Sequence, residues 1–468
     1  MADIPVPGPE LTGPADGIRA ADVVAAAIPS PVHELLETLW SAGHSAYVVG
    51  GSLRDTILGR DATDWDLATD ARPDRLLGIF PGSVYENAFG TVAVRHRDDV
   101  YEITTFRRDH DYADFRRPHR IEFGDTIELD LARRDFTANA IAWGAIRGAP
   151  PDVVDPYDGR ADVAARTLRA VGEPVTRFEE DALRMVRAVR LAATLEFTIE
   201  PATLEGIRAR SDLVRYLSGE RVATELGKLL VAPEPSIGLR LMADTGVLGQ
   251  VSPELARQPG TPQNKVPGED LWDHTLRSVD AARADRPVVR LAALLHDIGK
   301  PATFADGHFL GHDVVGAELA GSFLDRLREP RAVRERVVHL VRQHMFSYEP
   351  AWSDAAVRRF IAKIAVDAIE ELFELRRADN LGSGLPADAG GLDELRARVA
   401  AELAGGTVLD RGDLRIDGRD LIEELGLAQG PVLGRILEGL LERVVEDPAL
   451  NDRPTLLLLA RAQLDEED

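Results

Sequence analysis

The sequence predicts an α+β chain, with a mixed β-sheet head near the N terminus and an all-α remainder. Two observations carry this. From Ala46 to about Trp143 the apolar residues come in short runs, Tyr47-Val48-Val49, Val92-Ala93-Val94 and Val100 to Thr105, broken by turns and one helical stretch near Pro73 to Phe80. Runs of that length bounded by turn residues read as strands. Beyond about residue 158 the apolar spacing turns helical, and six of the eleven histidines gather between His274 and His344.

With 468 residues the chain exceeds what one hydrophobic core organises, so several domains are expected. Hydrophobic residues at 44% and charged ones at 29% describe a globular protein. No run approaches the roughly 18 apolar residues of a membrane span; Leu456-Leu457-Leu458-Leu459-Ala460 is far too short. Met1-Ala2-Asp3-Ile4-Pro5 lacks the regions of a signal peptide. Cysteine is absent, which excludes disulfides and thiolate metal sites and fits a cytoplasmic protein without a membrane. The net charge of -24 means that any nucleic acid must meet a local basic cleft on an acidic body. Arginines do cluster, at Arg107-Arg108, Arg116 to Arg120, Arg133-Arg134 and Arg184 to Arg190. The oligomeric state is not readable.

In chain order, residues 1–30 are rich in Pro, Gly, Ala and Asp without periodicity and are expected to be a disordered leader. Val32 to Ala42 reads as an amphipathic helix closed by Gly43. After the strand Tyr47-Val48-Val49, the pair Gly50-Gly51 lets backbone approach a polyphosphate, with Arg54 at hand to neutralise it. Asp64 and Asp66, spaced i, i+2, share a face of an extended strand, where divalent cations can bridge them. Glu102 offers the third carboxylate of a two-metal phosphoryl-transfer site. In Arg133-Arg134-Asp135-Phe136-Thr137-Ala138-Asn139, two arginines followed by Asp135, Thr137 and Asn139 can hold a triphosphate and hydrogen-bond a ribose, the guanidinium fork matching phosphate oxygens. Farther on, Arg184, Arg187 and Arg190 follow the acidic turn Glu179-Glu180-Asp181, and an Asp with an Arg can present acceptor and donor edges to a base.

Together these stretches resemble the nucleotidyltransferase superfamily, specifically the bacterial tRNA nucleotidyltransferase and poly(A) polymerase branch, in its class II CCA-adding form. The resemblance spans about residues 31–460. It implies a nucleotidyltransferase head over 31–157, closed by the hinge Asp155-Pro156-Tyr157-Asp158-Gly159-Arg160, and a helical neck over 158–256. Asp64 and Asp66 then hold Mg2+ and Glu102 assists; Gly50, Gly51, Arg54, Arg133, Arg134, Asp135, Asn139, Arg187 and Arg190 serve the nucleotide; Asp181 and Arg184 choose the base. The polar stretch 107–120 is similar to the flexible loop of CCA-adding enzymes, so Asp109, Tyr112, Asp114, Arg116 and Arg117 would help the site accept ATP. Ser218 to Leu226 resembles the motif that steadies the base-reading helix.

Pro-rich residues 257–270 read as a linker. His274, His296-Asp297 and Asp379 then have the order of an HD-type metal phosphohydrolase over 271–385, with His312 and His344 able to extend it to two metals. Imidazoles and carboxylates from separate helices would hold a divalent transition metal there. His308 and His339 have no assigned role. Residues 386–468 form a helical tail in which Gly430-Pro431 opens a helix whose N–H groups suit a tRNA phosphate. The implied activity is addition of C, C and A to the tRNA 3′ end from CTP and ATP. Two alternatives stand beside it: a poly(A) polymerase or an enzyme adding only A or only CC, and an HD phosphohydrolase whose N-terminal half binds RNA.

Overall fold

A computed structural model describes residues 20–467, apart from 63, 87–88, 111–119, 264 and 407. The chain divides into two compact units, residues 1–256 and 257–468.

The first unit is built on a seven-stranded sheet. Its strands are β1 (Ala46–Val49), β2 (Asp66–Thr69), β3 (Val84–Tyr85), β4 (Thr91–His96), β5 (Asp99–Thr105), β8 (Ala142–Ala145) and β9 (Asp152–Val154), while β6 (Arg107–His110) and β7 (Arg120–Phe123) make a separate ribbon. The order is β3-β4-β5-β2-β1-β8-β9, with β2 and β5 parallel and the other neighbours antiparallel. The sheet is therefore mixed, as the sequence predicts.

Every residue of β1 is buried, which suits an Ala-Tyr-Val-Val strand covered on both faces. On one face Val48 pairs with Trp143, whose ring meets Trp40 of the helix Ser30–Ser41 at 6.4 Å. On the other, Tyr47 and Val49 join Ala68, Phe106, Ile127 and Leu131 in one cluster. Each large side chain buried this way contributes about 1.5–3 kcal/mol.

The leader expected over residues 1–30 is ordered at its end. Ala20–Ala27 is a helix, and Val24 and Ile28 are buried, because their apolar side chains find a place in the first unit that composition does not disclose. Residues 1–19 lie outside the described residues. The polar stretch 107–120 begins and ends as strand: Arg107↔Phe123 through His110↔Arg120 are paired in β6 and β7. Asp109 belongs to that ribbon, whereas Tyr112, Asp114, Arg116 and Arg117 lie outside the described residues.

After the sheet the unit is helical. The helix Leu183–Leu195 buries Met185, Val186, Ala188, Val189 and Ala192, and the helices Gly219–Leu230 and Pro235–Asp244 pack against it. The arginine-bearing stretch from Arg177 to Arg190 is two helices rather than one. Pro174–Glu180 ends at Asp181, whose backbone is extended at φ -144°, and whose carboxylate accepts the Leu183 N–H at 3.0 Å. A short acidic side chain that bonds the backbone ahead competes with helix continuation.

The second unit gathers the histidine-bearing helices Leu271–Ala281, Pro287–Leu295, His312–Leu327, Arg331–Gln343 and Val366–Gly382. The tail has its own apolar cluster, including Leu421, Ile436, Leu440, Val444 and Leu456. Arg358, buried, donates to the carbonyls of Val445 and Glu446 at 2.6 and 3.0 Å and so caps the helix Pro431–Glu446. No helix among the described residues is long and apolar enough to cross a membrane.

Candidate active sites

At the end of β1 the chain turns through Gly50, with φ 87° and ψ -141°, into the helix Gly51–Ile57. Only glycine adopts this backbone without strain. A Cβ at Gly50 would also sit 2.8 Å from Arg134 Nη1. The bare backbone is what lets the Arg134 guanidinium lie over the turn.

The register Leu67↔Ile103 and Ala68↔Thr104 between the parallel β2 and β5 puts Asp66 level with Glu102 on one face of the sheet. Asp66, Glu102 and Thr104 line a cavity of about 320 Å³ with Arg133, Arg134, Asp135, Asp181, Arg184, Arg187 and Arg221. Desolvation raises the pKa of Asp66, opposed by Arg134 and reinforced by Asp64 and Asp130. Glu102 is raised by desolvation too, then by the charges of Asp66, Glu86 and Asp64. The head thus holds carboxylates that repel one another, the condition a divalent cation relieves. Asp64, Asp66 and Glu102 all keep exposed surface, so the desolvation is partial, and these carboxylates do not close to within 4.8 Å of one another as a donor set does.

Behind the cavity runs a chain of paired charges. Asp130, fully buried, accepts from Arg133 at 2.6 Å and from Arg134 at 3.2 Å. Burial opposes its ionisation, yet the two arginines hold its pKa below the ordinary value. Asp135 accepts from Asn139 Nδ2 at 3.0 Å and from Arg187 at 2.6 and 2.8 Å. Burial works against it as well, and Arg187, Asn139 and Arg184 still keep it well below the carboxylate range. Arg54 does not open onto the cavity: it is buried, donating to Asn139 Oδ1 at 2.5 Å and to Asp55 at 2.9 and 3.0 Å. Arg190 donates to the buried Glu225 at 2.5 Å, which also meets Arg187 at 4.0 Å.

Asp181 and Arg184 both face the cavity, each held from behind. Arg184 donates to Glu180 at 2.5 Å and to the Arg177 and Arg133 carbonyls at 3.1 and 2.9 Å. Arg221 donates to Asp181 at 2.7 Å. Sequence reading passed over Asp130, Arg221 and Glu225 individually. Spacing signalled only Asp130, which precedes Arg133 and Arg134 by i, i+3 and i+4; Arg221 and Glu225 find partners 40 and 35 residues away, in Asp181 and Arg190.

In the second unit the expected histidines and aspartates do converge. Two sets of three donors each lie within 4.8 Å: His274, His296 and Asp379, and Asp297, His312 and His344, all buried. Asp297 joins them. Its Oδ2 is 3.3 Å from His274 Nε2 and 3.2 Å from His296 Nε2, and its Oδ1 is 3.4 and 3.6 Å from His312 and His344 Nε2. The far nitrogens of three rings are fixed by carbonyls, His296 Nδ1 on Ala293, His312 Nδ1 on Phe309 and His344 Nδ1 on Val341, at 2.7–2.8 Å. Such bonds leave each Nε2 free for a metal. Burial lowers the pKa of His274 and of His344, which favours the neutral ligand form. His339 instead bonds the Ile364 carbonyl at 2.8 Å, and His308 sits in a turn with Ala305.

The segment 257–270, a linker by composition, folds onto this centre. Lys300 donates to Gln263 Oε1 at 3.2 Å, and Lys265 donates to Asp379 at 3.2 Å. Proline and glycine content discloses nothing about where the polar side chains between them find partners.

Three family models match the chain: the Poly A polymerase head domain over residues 46–169, the probable RNA and SrmB-binding site of polymerase A over 196–258, and the HD domain over 254–383. The chain is 32% identical to the CCA-adding enzyme of Streptococcus suis over 444 residues, covering 94% of this chain and 99% of that one. It is 33% identical to that of Geobacillus stearothermophilus over 422 residues, 90% and 93% of the two chains. The solved structure of the Bacillus stearothermophilus CCA-adding enzyme in complex with CTP matches with a TM-score of 0.69 at 29% identity, covering 94% of this chain and 100% of that one.

Proposed function

This chain belongs to the family of CCA-adding enzymes, and we propose that it adds C, C and A to the 3′ end of tRNA, from CTP and ATP, without a nucleic-acid template. One observation carries the reading: a single cavity joins the carboxylates Asp66 and Glu102 to the arginines 133, 134 and 187 and to the pair Asp181 and Arg184. Phosphate grip, reacting end and base edge therefore share one space. The Bacillus relative solved with CTP supports a cytidine nucleotide as one substrate.

Mg2+ suits an all-oxygen donor set, and ions held by Asp64 and Asp66 would supply Lewis-acid stabilisation for an in-line displacement that releases pyrophosphate. Glu102 orients the terminal 3′-hydroxyl of the RNA from the neighbouring strand. Arg134 and Arg187 take the triphosphate oxygens, with Gly50 and Gly51 letting the backbone come close. Arg133 shares the work, steadied by Asp130. Asp135 and Asn139 brace Arg187 and Arg54, and Arg190 is anchored on Glu225. Asp181 offers an acceptor and Arg184 donors to the Watson–Crick edge of the base.

Transfer RNA lacking its 3′ end, given CTP alone, ATP alone or both, tests this at single-nucleotide resolution. Two additions with CTP and a third only when ATP is also present are expected; growth with ATP alone would identify a poly(A) or A-adding enzyme. Asp64→Ala should abolish both incorporations while tRNA binding persists.

A second activity, metal-dependent phosphoester hydrolysis, is supported by the two donor sets that Asp297 joins. Imidazole-rich sets suit a divalent transition metal. Elemental analysis of protein purified without chelator, with a model phosphoester assay, tests it; neither metal nor cleavage would sink it.

A further inference from the structure

The segment 257–270 and the histidine centre share a set of positive and donor groups that metal binding alone does not use. Lys265 Nζ lies 3.2 Å from Asp379 Oδ1, the same oxygen that is 3.4 Å from His274 Nε2. Lys300 Nζ lies 2.5 Å from Asp297 Oδ2. Arg376 donates to the other oxygen of Asp379 at 3.3 Å. Three cations thus face two carboxylates before any ion is bound. Gln263, only 8% exposed, uses its Oε1 on Lys300, while its Nε2 has no partner among the described residues. A buried amide donor without an acceptor is uncommon in folded proteins.

We propose that this segment is the anion-binding wall of the histidine centre, with Lys265 Nζ and Gln263 Nε2 receiving the terminal oxygens of a phosphoryl group. The inference rests on the hydrolase reading of that centre. The logic is electrostatic. Asp379 and Asp297, whose oxygens Lys265 and Lys300 contact, would hold a divalent ion, and both ammonium groups would then share their carboxylates with a second positive charge. Weakened in those contacts, they would be open to an anion. Lys265, whose side chain is about one-third exposed at 34%, is on the solvent side, where an incoming anion arrives first. Tetrahedral phosphoryl oxygens then give the Gln263 amide its missing acceptor.

The test uses the full chain loaded with a divalent transition metal, inorganic phosphate as the probe, and titration calorimetry beside elemental analysis. Lys265→Ala should keep its metal and bind phosphate about tenfold more weakly, as expected for the loss of one charge-assisted hydrogen bond. Gln263→Ala should weaken it severalfold, and Lys265→Arg should recover most of the affinity. A circular dichroism spectrum and melting temperature equal to the parent's report that each variant is folded. Phosphate bound as tightly by metal-loaded Lys265→Ala as by the parent overturns the proposal and leaves the hydrolase reading standing. Loss of metal from Lys265→Ala also overturns it, since Lys265 would then serve the ligand set. A parent protein that takes up no metal removes the hydrolase reading, and the anion wall with it.

Discussion

Arg221 donates to the Asp181 carboxylate at 2.7 Å across 40 residues of sequence, tying the helix Gly219–Leu230 to the break between the helices Pro174–Glu180 and Leu183–Leu195. The other oxygen of Asp181 accepts the Leu183 N–H at 3.0 Å. Arg221→Ala removes one of these two restraints, and a charge-assisted hydrogen bond is worth about 1.5–3 kcal/mol. Preference for CTP and ATP over UTP and GTP should therefore fall about tenfold or more, measured as single-nucleotide incorporation rates. Selectivity equal to the parent's would show that Asp181 needs no such support.

Glu225 is buried beneath Arg190 and Arg187. Glu225→Ala leaves Arg190 without its carboxylate and takes from Arg187 the more distant of its two, Asp135 remaining, and breaking a buried pair costs about 3 kcal/mol. Urea unfolding should show that loss in the first unit, together with a raised KM for nucleotide as Arg187 shifts. A variant as stable as the parent would mean the arginines find other partners.

Gly50→Ala introduces a Cβ 2.8 Å from Arg134 Nη1 at a backbone angle of φ 87°. The strain costs about 1–3 kcal/mol, and Arg134 has to move off the turn. Nucleotide KM should rise at least tenfold while tRNA affinity stays constant. Fluorescence titration with each ligand separates the two.

Asp66 and Glu102 both have raised pKa values in the folded chain. The sign follows: on raising the pH through the interval between their unfolded and folded values, the folded state loses protons the unfolded state has already released, so stability falls. Activity needs the ionised forms, so its acid limb should lie above the ordinary carboxylate range near about 4. Raising Mg2+ should move that limb to lower pH. A pH profile of kcat/KM at several Mg2+ concentrations that shows no movement would exclude ion binding by these groups.

The sheet was legible because β1, β4 and β5 are short apolar runs with turns between them, and the segment Arg133 to Asn139 stood out through residue types that rarely occur together, three of which line the cavity. The arginine helix was read only in part. Its three arginines are paired rather than free; Arg184, Arg187 and Arg190 each end on a carboxylate, of Glu180, Asp135 and Glu225. Those partners lie 4, 52 and 35 residues away, and only the first is within reach of a spacing rule. Arg54 was read as a phosphate ligand because it follows the glycine turn, but its fork is taken by Asn139 and Asp55. The histidine centre was legible as an ordered set of ligands. That one aspartate, Asp297, would stand between two sets depended on which way its carboxylate points.

The parallel pairing of β2 with β5 makes the backbone a ruler. Adjacent strands run about 4.8 Å apart, so the separation between the roots of Asp66 and Glu102 is set by the hydrogen-bond ladder and cannot be tuned by neighbouring side chains. What can vary is reach, by one methylene. Asp66→Glu and Glu102→Asp would keep charge and register while shifting each carboxylate along its own axis, and the two changes made together give a head with the same ladder and its gauge displaced toward one strand.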